Sequence, residues 1–258
     1  MIMIKFTKLH GNGNDFILID EYQDEIVRDK AEFAATYCDR RFGIGADGVL
    51  FLSKSDHANI RMQLFQPDQS EAEMCGNGIR CLARYAIDEG YITRDGSFTI
   101  KTLAGVLTVD TDGEWIKVDM GTPKWGGVHE INNYEVHSVN TGVPHAIIFT
   151  DNQDVAINEI APKIRYAPVF PEGTNVNFVK VNSESEILIR TYERGVEAET
   201  LSCGTGAVAS AYVARRLGLT GDQVVVRTAG GSLRISFTAN GGAFMAGGAV
   251  RVYEGMVK

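Results

Sequence analysis

Apolar and polar residues alternate along most of this 258-residue chain, in short runs separated by turns rich in glycine and asparagine. Such alternation is typical of strands with one buried face, and the turn residues between them indicate hairpins. The pattern predicts strand pairs at residues 97–102 with 106–110 and at residues 224–228 with 233–238. Few helical segments intervene, so we expect an α+β fold made mainly of antiparallel strands.

Two longer helix-like stretches, residues 79–87 and 207–217, each follow the same short motif. The motif is Cys-Gly-Asn-Gly at residues 75–78 and Cys-Gly-Thr-Gly at residues 203–206. The two copies lie about half a chain length apart, and the strands that follow each helix repeat at a similar spacing. We therefore predict two pseudo-symmetric halves, each a mostly antiparallel, barrel-like sheet around a central helix.

The boundary between the halves is expected at the turn Gly121-Thr122-Pro123. The N-terminal half is then residues 1–120, completed by a C-terminal strand at about residues 250–258. The C-terminal half is residues 121–249. Each half carries one copy of the cysteine motif.

The composition, 44% apolar and 22% charged, is that of a soluble globular protein. The net charge of -8 and the scattered basic residues give no reason to expect nucleic acid or an acidic membrane as a partner. No apolar run approaches the roughly 18 residues of a membrane span, and residues 1–10 lack the apolar core of a signal peptide. We therefore expect a cytoplasmic protein.

Four cysteines in a chain of this size indicate neither a disulfide framework nor a zinc site, because no Cys-x-x-Cys pair is present. Cys38 and Cys81 lack neighbouring glycines and are interpreted as buried packing residues. Only Cys75 and Cys203 have the glycine context that indicates chemistry.

Two thiols on equivalent elements suit a racemase or epimerase that uses no cofactor. Such an enzyme needs a base on one face of the α-carbon, an acid on the other, and stabilisation of the charge that develops on the carboxylate. The pKa of a thiol, ordinarily about 8.5, falls at a helix N-terminus, where backbone N–H groups also bind anions. Cys75 and Cys203 are therefore candidate acid/base catalysts. The candidates for binding a carboxylate through backbone amides are the residues that follow the cysteines, Gly76, Asn77, Gly204 and Thr205.

Other interpretations of the two motifs remain open on the residues alone. Each motif by itself fits a tight turn and a capped helix, as in a non-catalytic duplicated binding protein. A thiol–disulfide oxidoreductase is a further alternative, although such enzymes usually place both cysteines in one Cys-x-x-Cys turn.

Several segments resemble the signatures of diaminopimelate epimerases, in the expected order along nearly the whole chain. They are FTKLHGNGNDF (6–16), GIGADG (43–48), MCGNGIRC (74–81), PH (144–145), NVNF (175–178), YERG (192–195) and ETLSCGTGA (199–207). The resemblance implies a homodimer in which two barrel-like domains close on the substrate. It implies interconversion of L,L- and meso-2,6-diaminopimelate in lysine biosynthesis, and often in peptidoglycan biosynthesis, without pyridoxal phosphate or metal.

The same resemblance implies roles for individual residues, carried over by matching position. Cys75 and Cys203 are implied to be the acid/base pair, tuned by His145 and Glu193. The residues implied to bind the substrate are Asn14, Gln66, Gly76, Asn77, Asn175, Glu193, Arg194, Gly204 and Thr205. The planar fork of Arg194 suits the distal carboxylate, because it can bind both oxygens at once.

The chain departs from the family pattern in places. Gln66 stands where many members have asparagine, and Val143 stands where many have asparagine before the Pro-His pair. Val143 has no side-chain donor, so one polar contact to the distal end differs. A proline or hydroxyproline racemase is the remaining alternative among thiol-based enzymes, but that family usually has histidine where this chain has Asn77.

Overall fold

The structure is a computed structural model that describes residues 3–94, 96–152 and 154–258. The chain divides into two compact units. The first is Met1–Val118 together with Gly247–Lys258, and the second is Asp119–Ala246.

The first unit is built from strands and two helices. In chain order its elements are β1 (Ile4–Gly11), β2 (Asn14–Glu21), α1 (Lys30–Tyr37), β3 (Gly48–Ser53), β4 (Ile60–Phe65), α2 (Gly76–Asp88), β5 (Ser97–Thr102), β6 (Gly105–Asp112), β7 (Trp115–Asp119) and, near the C-terminus, β17 (Val250–Val257).

The strand order in this unit is β17-β1-β2-β3-β4-β5-β6-β7. The pairs β2–β3 and β4–β5 are parallel, and the other neighbours are antiparallel. Parallel neighbours need a crossover connection, which α1 supplies for the first pair and α2 for the second. Helix α2 contacts β1, β2, β3, β4 and β17, so the sheet curves around it.

The runs Phe16–Ile19 and Val49–Leu52 are continuously apolar rather than alternating, and their side chains are buried. Helix α2 covers one face of these strands, while the outer helix α1 packs against the other through Phe33 and Ala34. Strands that are covered on both faces need apolar residues at successive positions.

The second unit repeats this plan. Its elements are β8 (Lys124–Ile131), β9 (Tyr134–Asn140), β10 (Pro144–Phe149), α3 (Ile157–Arg165), β11 (Asn175–Ser183), β12 (Glu186–Glu193), β13 (Ala198–Thr200), α4 (Gly204–Arg216), β14 (Gln223–Thr228), β15 (Gly231–Phe237) and β16 (Ala243–Gly247).

The strand order β8-β9-β10-β11-β12-β14-β15-β16 has the same sequence of parallel and antiparallel pairs as the first unit. The short strand β13 is an addition that pairs with β12. Helix α4 takes the place of α2, and α3 takes the place of α1. The predicted α+β fold of two pseudo-symmetric halves, each with a central helix, is confirmed.

Three local features differ from what the sequence pattern predicts. The pattern of residues 30–41 predicts a helix through Arg41, but α1 ends at Tyr37, because the Asp39 carboxylate accepts from the backbone N–H groups of Arg41 and Phe42 and turns the chain. The pattern of residues 242–250 predicts a single strand, but the structure interrupts it at residues 248–249, between β16 and β17. The outer helix α3 was not expected.

Within the described residues, every helix is too short or too polar to cross a lipid bilayer.

Replacement of Phe51 by alanine should destabilise the protein by about 3–5 kcal/mol, because the ring is fully buried between Phe33 and Phe65. Urea unfolding followed by circular dichroism measures this difference. The matched control is Phe42→Ala, since that ring is 92% exposed and its loss should change stability by less than about 0.5 kcal/mol. Equal effects of the two substitutions would contradict the described core.

Candidate active site

Cys75 and Cys203 occupy the same structural position in their two units. Each is the N-cap residue of the central helix, with an extended backbone at φ -144° and φ -118° respectively. The Cys75 carbonyl accepts from the backbone N–H of Ile79 at 2.8 Å, and the Cys203 carbonyl accepts from that of Ala207 at 2.9 Å. The first backbone N–H groups of a helix have no acceptor within the helix. In both central helices these groups follow directly after a cysteine.

The second glycine of each motif allows the helix to start in close contact with a strand. A Cβ atom at Gly78 would lie 3.2 Å from Leu50 Cδ2 on β3. A Cβ atom at Gly206 would lie 2.4 Å from Asn177 Oδ1 on β11, a distance that no side chain tolerates. Glycine is thus required for packing at Gly206, independently of any role in chemistry.

In the first unit, Cys75 belongs to a cluster of amide side chains. Its sulfur accepts from the backbone N–H of Gly78 at 3.4 Å, and its thiol donates to Asn14 Oδ1 at 3.7 Å. The same Asn14 oxygen accepts from Asn77 Nδ2 at 3.1 Å. The structure therefore brings together three residues that the sequence analysis singled out, together with the backbone of Gly76.

Asn14 is fixed in turn by an ionic cluster that the sequence analysis did not identify. Its Nδ2 donates to Asp47 Oδ2 at 2.7 Å, and Arg40 bridges Asp47 and Asp15. Burial alone would raise the pKa of Asp15, but hydrogen bonds from Arg40 and Lys8 outweigh it and lower the pKa to about 2. Asp15 therefore stays ionised at neutral pH, and the cluster holds Asn14 in one orientation.

Arg80 is a fully buried cation on α2 that also escaped the sequence analysis. It donates to Asn77 Oδ1 at 2.9 Å and to the carbonyl of Gly248 at 3.3 Å. Burial lowers the pKa of Arg80. Because both ends of the Asn77 amide are engaged within the protein, Asn77 can offer a ligand its backbone N–H.

Gln66 stands apart from this cluster in its hydrogen bonds. It is exposed at the start of a turn, where its Oε1 accepts from Ser70 Oγ at 3.0 Å. Gln69, in the same turn, has φ 72°, a left-handed conformation that glycine adopts without strain.

In the second unit, the Cys203 sulfur is buried and lies 3.5 Å from Thr205 Oγ1. The carbonyl of Thr205 accepts from Thr141 Oγ1 at 3.2 Å. A Cβ atom at Gly204 would lie 2.9 Å from the sulfur of Met245, so the first turn is closely packed on this side too.

His145 is completely buried on β10. Its Nδ1 lies 3.1 Å from Asn177 Nδ2. Burial, with a smaller contribution from the charge of Arg194, lowers the pKa of His145 to about 3. At neutral pH the ring is therefore uncharged, and it does not act as an imidazolium acid.

Asn175 and Arg194 are joined through the backbone. Asn175 Oδ1 accepts from the Arg194 backbone N–H at 2.9 Å, and its Nδ2 donates to the carbonyl of Pro144 at 3.1 Å. The Arg194 guanidinium donates to the carbonyl of Glu172 at 3.3 Å. Glu193 accepts from Thr200 Oγ1 at 2.5 Å.

The other two cysteines are buried packing residues, as expected. Burial raises the pKa of Cys38 and of Cys81 to about 12, so neither thiol ionises at neutral pH. In the part of the chain that the structure describes, no group of three or more histidine, cysteine, aspartate or glutamate side chains is placed to hold a metal ion.

Each unit thus offers a thiol at a helix N-terminus, a set of backbone N–H groups suited to a carboxylate, and fixed amide side chains nearby. A thiol at such a position can exchange a proton with a bound molecule, and the amides can stabilise negative charge on it.

Comparison with known proteins agrees with this geometry. The family model for diaminopimelate epimerase matches residues 6–126 and 137–252. The chain is 54% identical to the diaminopimelate epimerase of Methanothrix thermoacetophila and 49% identical to that of Archaeoglobus fulgidus. These alignments cover 100% and 99% of this chain, and 97% and 96% of the two relatives.

A solved structure shares the fold at lower identity. The phenazine biosynthesis protein of the PhzF family from Bacillus anthracis superposes with a TM-score of 0.78 over 100% of both chains, at 20% identity. The fold is therefore common to proteins of different families, and it is the sequence match that decides between them. By that match along most of its length, the chain belongs to the diaminopimelate epimerase family.

Proposed function

We propose that this protein is a cofactor-independent isomerase that interconverts L,L- and meso-2,6-diaminopimelate in lysine biosynthesis. The observation that carries the proposal is a cysteine at the N-cap of the equivalent helix in each unit, within a chain whose residues 6–126 and 137–252 match the family model. The identities of 54% and 49% to named diaminopimelate epimerases support the choice of substrate.

In the proposed reaction, the thiolate of one cysteine removes the α-proton and the thiol of the other delivers a proton to the opposite face. The α-carbon inverts, and the two sulfurs exchange their protonation states. Starting from the other isomer, Cys75 and Cys203 exchange roles. The two thiols therefore titrate as a coupled pair, and the active form has one thiolate and one thiol.

The backbone N–H groups of Gly76, Asn77, Gly204 and Thr205 bind the reacting carboxylate. Charge that develops on this group in the transition state is stabilised by donors that are already in place. This explains why the Asn77 side chain is engaged with Arg80 and Asn14 while its backbone N–H stays available.

The remaining residues bind the substrate or adjust the acidity of the thiols. Asn14, Asn175 and Arg194 hold the distal amino-acid group, with Gln66 as a longer amide in the place of asparagine. Glu193 binds the substrate and, with His145, adjusts the acidity of the thiols. His145 acts as a neutral group, because its pKa is about 3.

We further infer that the protein is a cytoplasmic homodimer and that each protomer has two domains, residues 1–120 with 250–258 and residues 121–249. The two compact units support the domain division.

Replacement of either Cys75 or Cys203 by alanine should lower kcat by roughly 10³-fold or more, because each removes one of the two proton-transfer groups. The assay is incorporation of solvent deuterium at the α-carbon of L,L-diaminopimelate in D₂O, with reduced protein. The double variant should be no worse than either single variant, since the two thiols act as a unit. Cys38→Ala is the matched control and should retain full turnover.

Deuterium incorporation that survives in both single variants would refute the thiol mechanism. Exchange with proline or hydroxyproline, but not with diaminopimelate, would assign the protein to the alternative racemase family. Circular dichroism of each variant ensures that a loss of turnover is not a loss of fold.

Arg194→Lys should raise KM for diaminopimelate by roughly tenfold or more, because lysine keeps the charge but cannot bind both oxygens of the distal carboxylate. Initial rates over a range of substrate concentrations measure this change. Arg227→Lys is the control, since Arg227 is exposed and pairs with Glu186, which the resemblance does not place in the site. An unchanged KM in Arg194→Lys would show that Arg194 does not bind the distal carboxylate.

His145 should make stability depend on pH in a predictable direction. The unfolded chain binds a proton on this residue near its ordinary pKa of 6.5, whereas the folded chain does so only at about 3. Between these values the unfolded state binds more protons, so stability falls as pH falls, by at most about 1.4 kcal/mol per pH unit. His145→Gln should remove that part of the slope in urea unfolding between about pH 4 and pH 6. Equal slopes for the two proteins would show that the ring is not buried in neutral form.

A further inference from the structure

The equivalent strands of the two units differ in character at three buried positions. In the first unit, Phe16 opens the parallel pair β2–β3, Leu50 lies two residues along β3, and Leu64 is its partner on β4. All three side chains are buried, and Leu50 and Phe16 approach Gly78 to 3.2 and 3.7 Å from its Cβ position. The start of helix α2 thus lies on an apolar trio.

In the second unit the corresponding positions are polar. His145 opens the parallel pair β10–β11, Asn177 lies two residues along β11, and Thr191 is its partner on β12. These side chains are just as deeply buried, with Asn177 beneath Gly206. The start of helix α4 therefore lies on a polar trio, His145–Asn177–Thr191.

Hydrogen bonds fix the orientation of the Asn177 amide. Its Nδ2 donates to the carbonyl of Ala146 at 3.3 Å, and a carbonyl can only accept. Its Oδ1 accepts from Thr191 Oγ1 at 2.9 Å. The nitrogen therefore faces His145, and its second hydrogen points to His145 Nδ1 at 3.1 Å.

This orientation determines the tautomer of the imidazole. Because Asn177 Nδ2 is a donor, Nδ1 must accept and carries no hydrogen. A neutral ring then has its proton on Nε2. Nε2 is buried, and none of the described residues accepts from it.

A buried polar trio costs stability relative to an apolar one, and a buried donor without an acceptor adds to that cost. The apolar trio of the first unit shows that the fold itself does not require polar groups at these positions. A Cβ at Gly206 would lie 2.4 Å from Asn177 Oδ1 and 3.3 Å from the Cys203 sulfur, so the trio reaches the thiol end of the helix.

We propose that Asn177, itself held by Thr191, is a positioning residue that keeps His145 in the Nε2–H tautomer, so that a neutral ring offers one donor to an anion in the site. The anion is a thiolate or a carboxylate. This inference rests on the proposed function, since it refines how His145 tunes the thiol pair.

The tautomer can be measured directly by NMR with ring-¹⁵N-labelled histidine, and His145→Gln identifies the signals of this residue. The wild-type protein should show a pyridine-type Nδ1 and a pyrrole-type Nε2, without titration between about pH 5 and pH 8. Asn177→Asp replaces the donor by an acceptor of the same shape, so the proton should move to Nδ1 and the pKa of His145 should rise. A wild-type ring protonated on Nδ1, or an unchanged tautomer in Asn177→Asp, would overturn the proposal.

Kinetics separate positioning from binding. Asn177→Asp should lower kcat roughly 10–100-fold with less than about a threefold change in KM, as loss of a group that orients another usually does. Asn182→Asp is the matched control on the same strand, because that amide is exposed and pairs with Glu186. It should leave both parameters unchanged.

Thr191→Val provides a second variant in case Asn177→Asp does not fold. It removes only the hydroxyl that holds Asn177 Oδ1, so a mixture of tautomers and a smaller fall in kcat are expected. A single unchanged tautomer with full kcat would contradict the role of Thr191. If the wild-type protein does not turn over diaminopimelate, the proposed function fails, while the NMR result still decides the tautomer.

Discussion

The close contact between the first turn of each central helix and a strand of its own sheet is the constraint on which the rest of the site depends. A helix that starts against a strand has no room for a side chain at its third residue, and Gly206 meets this limit most severely. The same turn exposes backbone N–H groups that the helix cannot satisfy. At Cys75 the sulfur accepts from one of these groups, the backbone N–H of Gly78.

The duplicated plan is used in two different ways. In the first unit, an ionised cluster of Lys8, Asp15, Arg40 and Asp47 fixes the orientation of Asn14 beside the thiol. In the second unit burial keeps His145 uncharged, and the charge of Arg194 acts in the same direction. Equivalent thiols therefore have unlike surroundings.

Polar groups are buried at both helix starts, and because they are buried the stability of the fold depends on their hydrogen bonds. A buried amide or guanidinium without partners would destabilise the fold by several kcal/mol. Arg80 donates to Asn77 and to the Gly248 carbonyl, and Asn177 bonds to Ala146 and Thr191 on the two neighbouring strands, so the orientation of each side chain is over-determined. Over-determined side chains change little when a ligand binds, which favours a preorganised site.

The sequence by itself determined the structural features that depend on residues close together in the chain. Alternation predicted the hairpins β5–β6 and β14–β15, the Cys-Gly-x-Gly motifs predicted the two central helix starts, and their spacing predicted the duplication. The sequence did not predict where α1 ends or where β16 and β17 separate, because side-chain caps and long-range strand pairing decide those boundaries. Only the tertiary structure placed Asp47 against Asn14, 33 residues away, and Asn177 against His145, 32 residues away. Contacts of this kind lie across the parallel pairs β2–β3 and β10–β11, whose strands are joined by long crossovers rather than by hairpin turns, so the pairing depends on the tertiary structure.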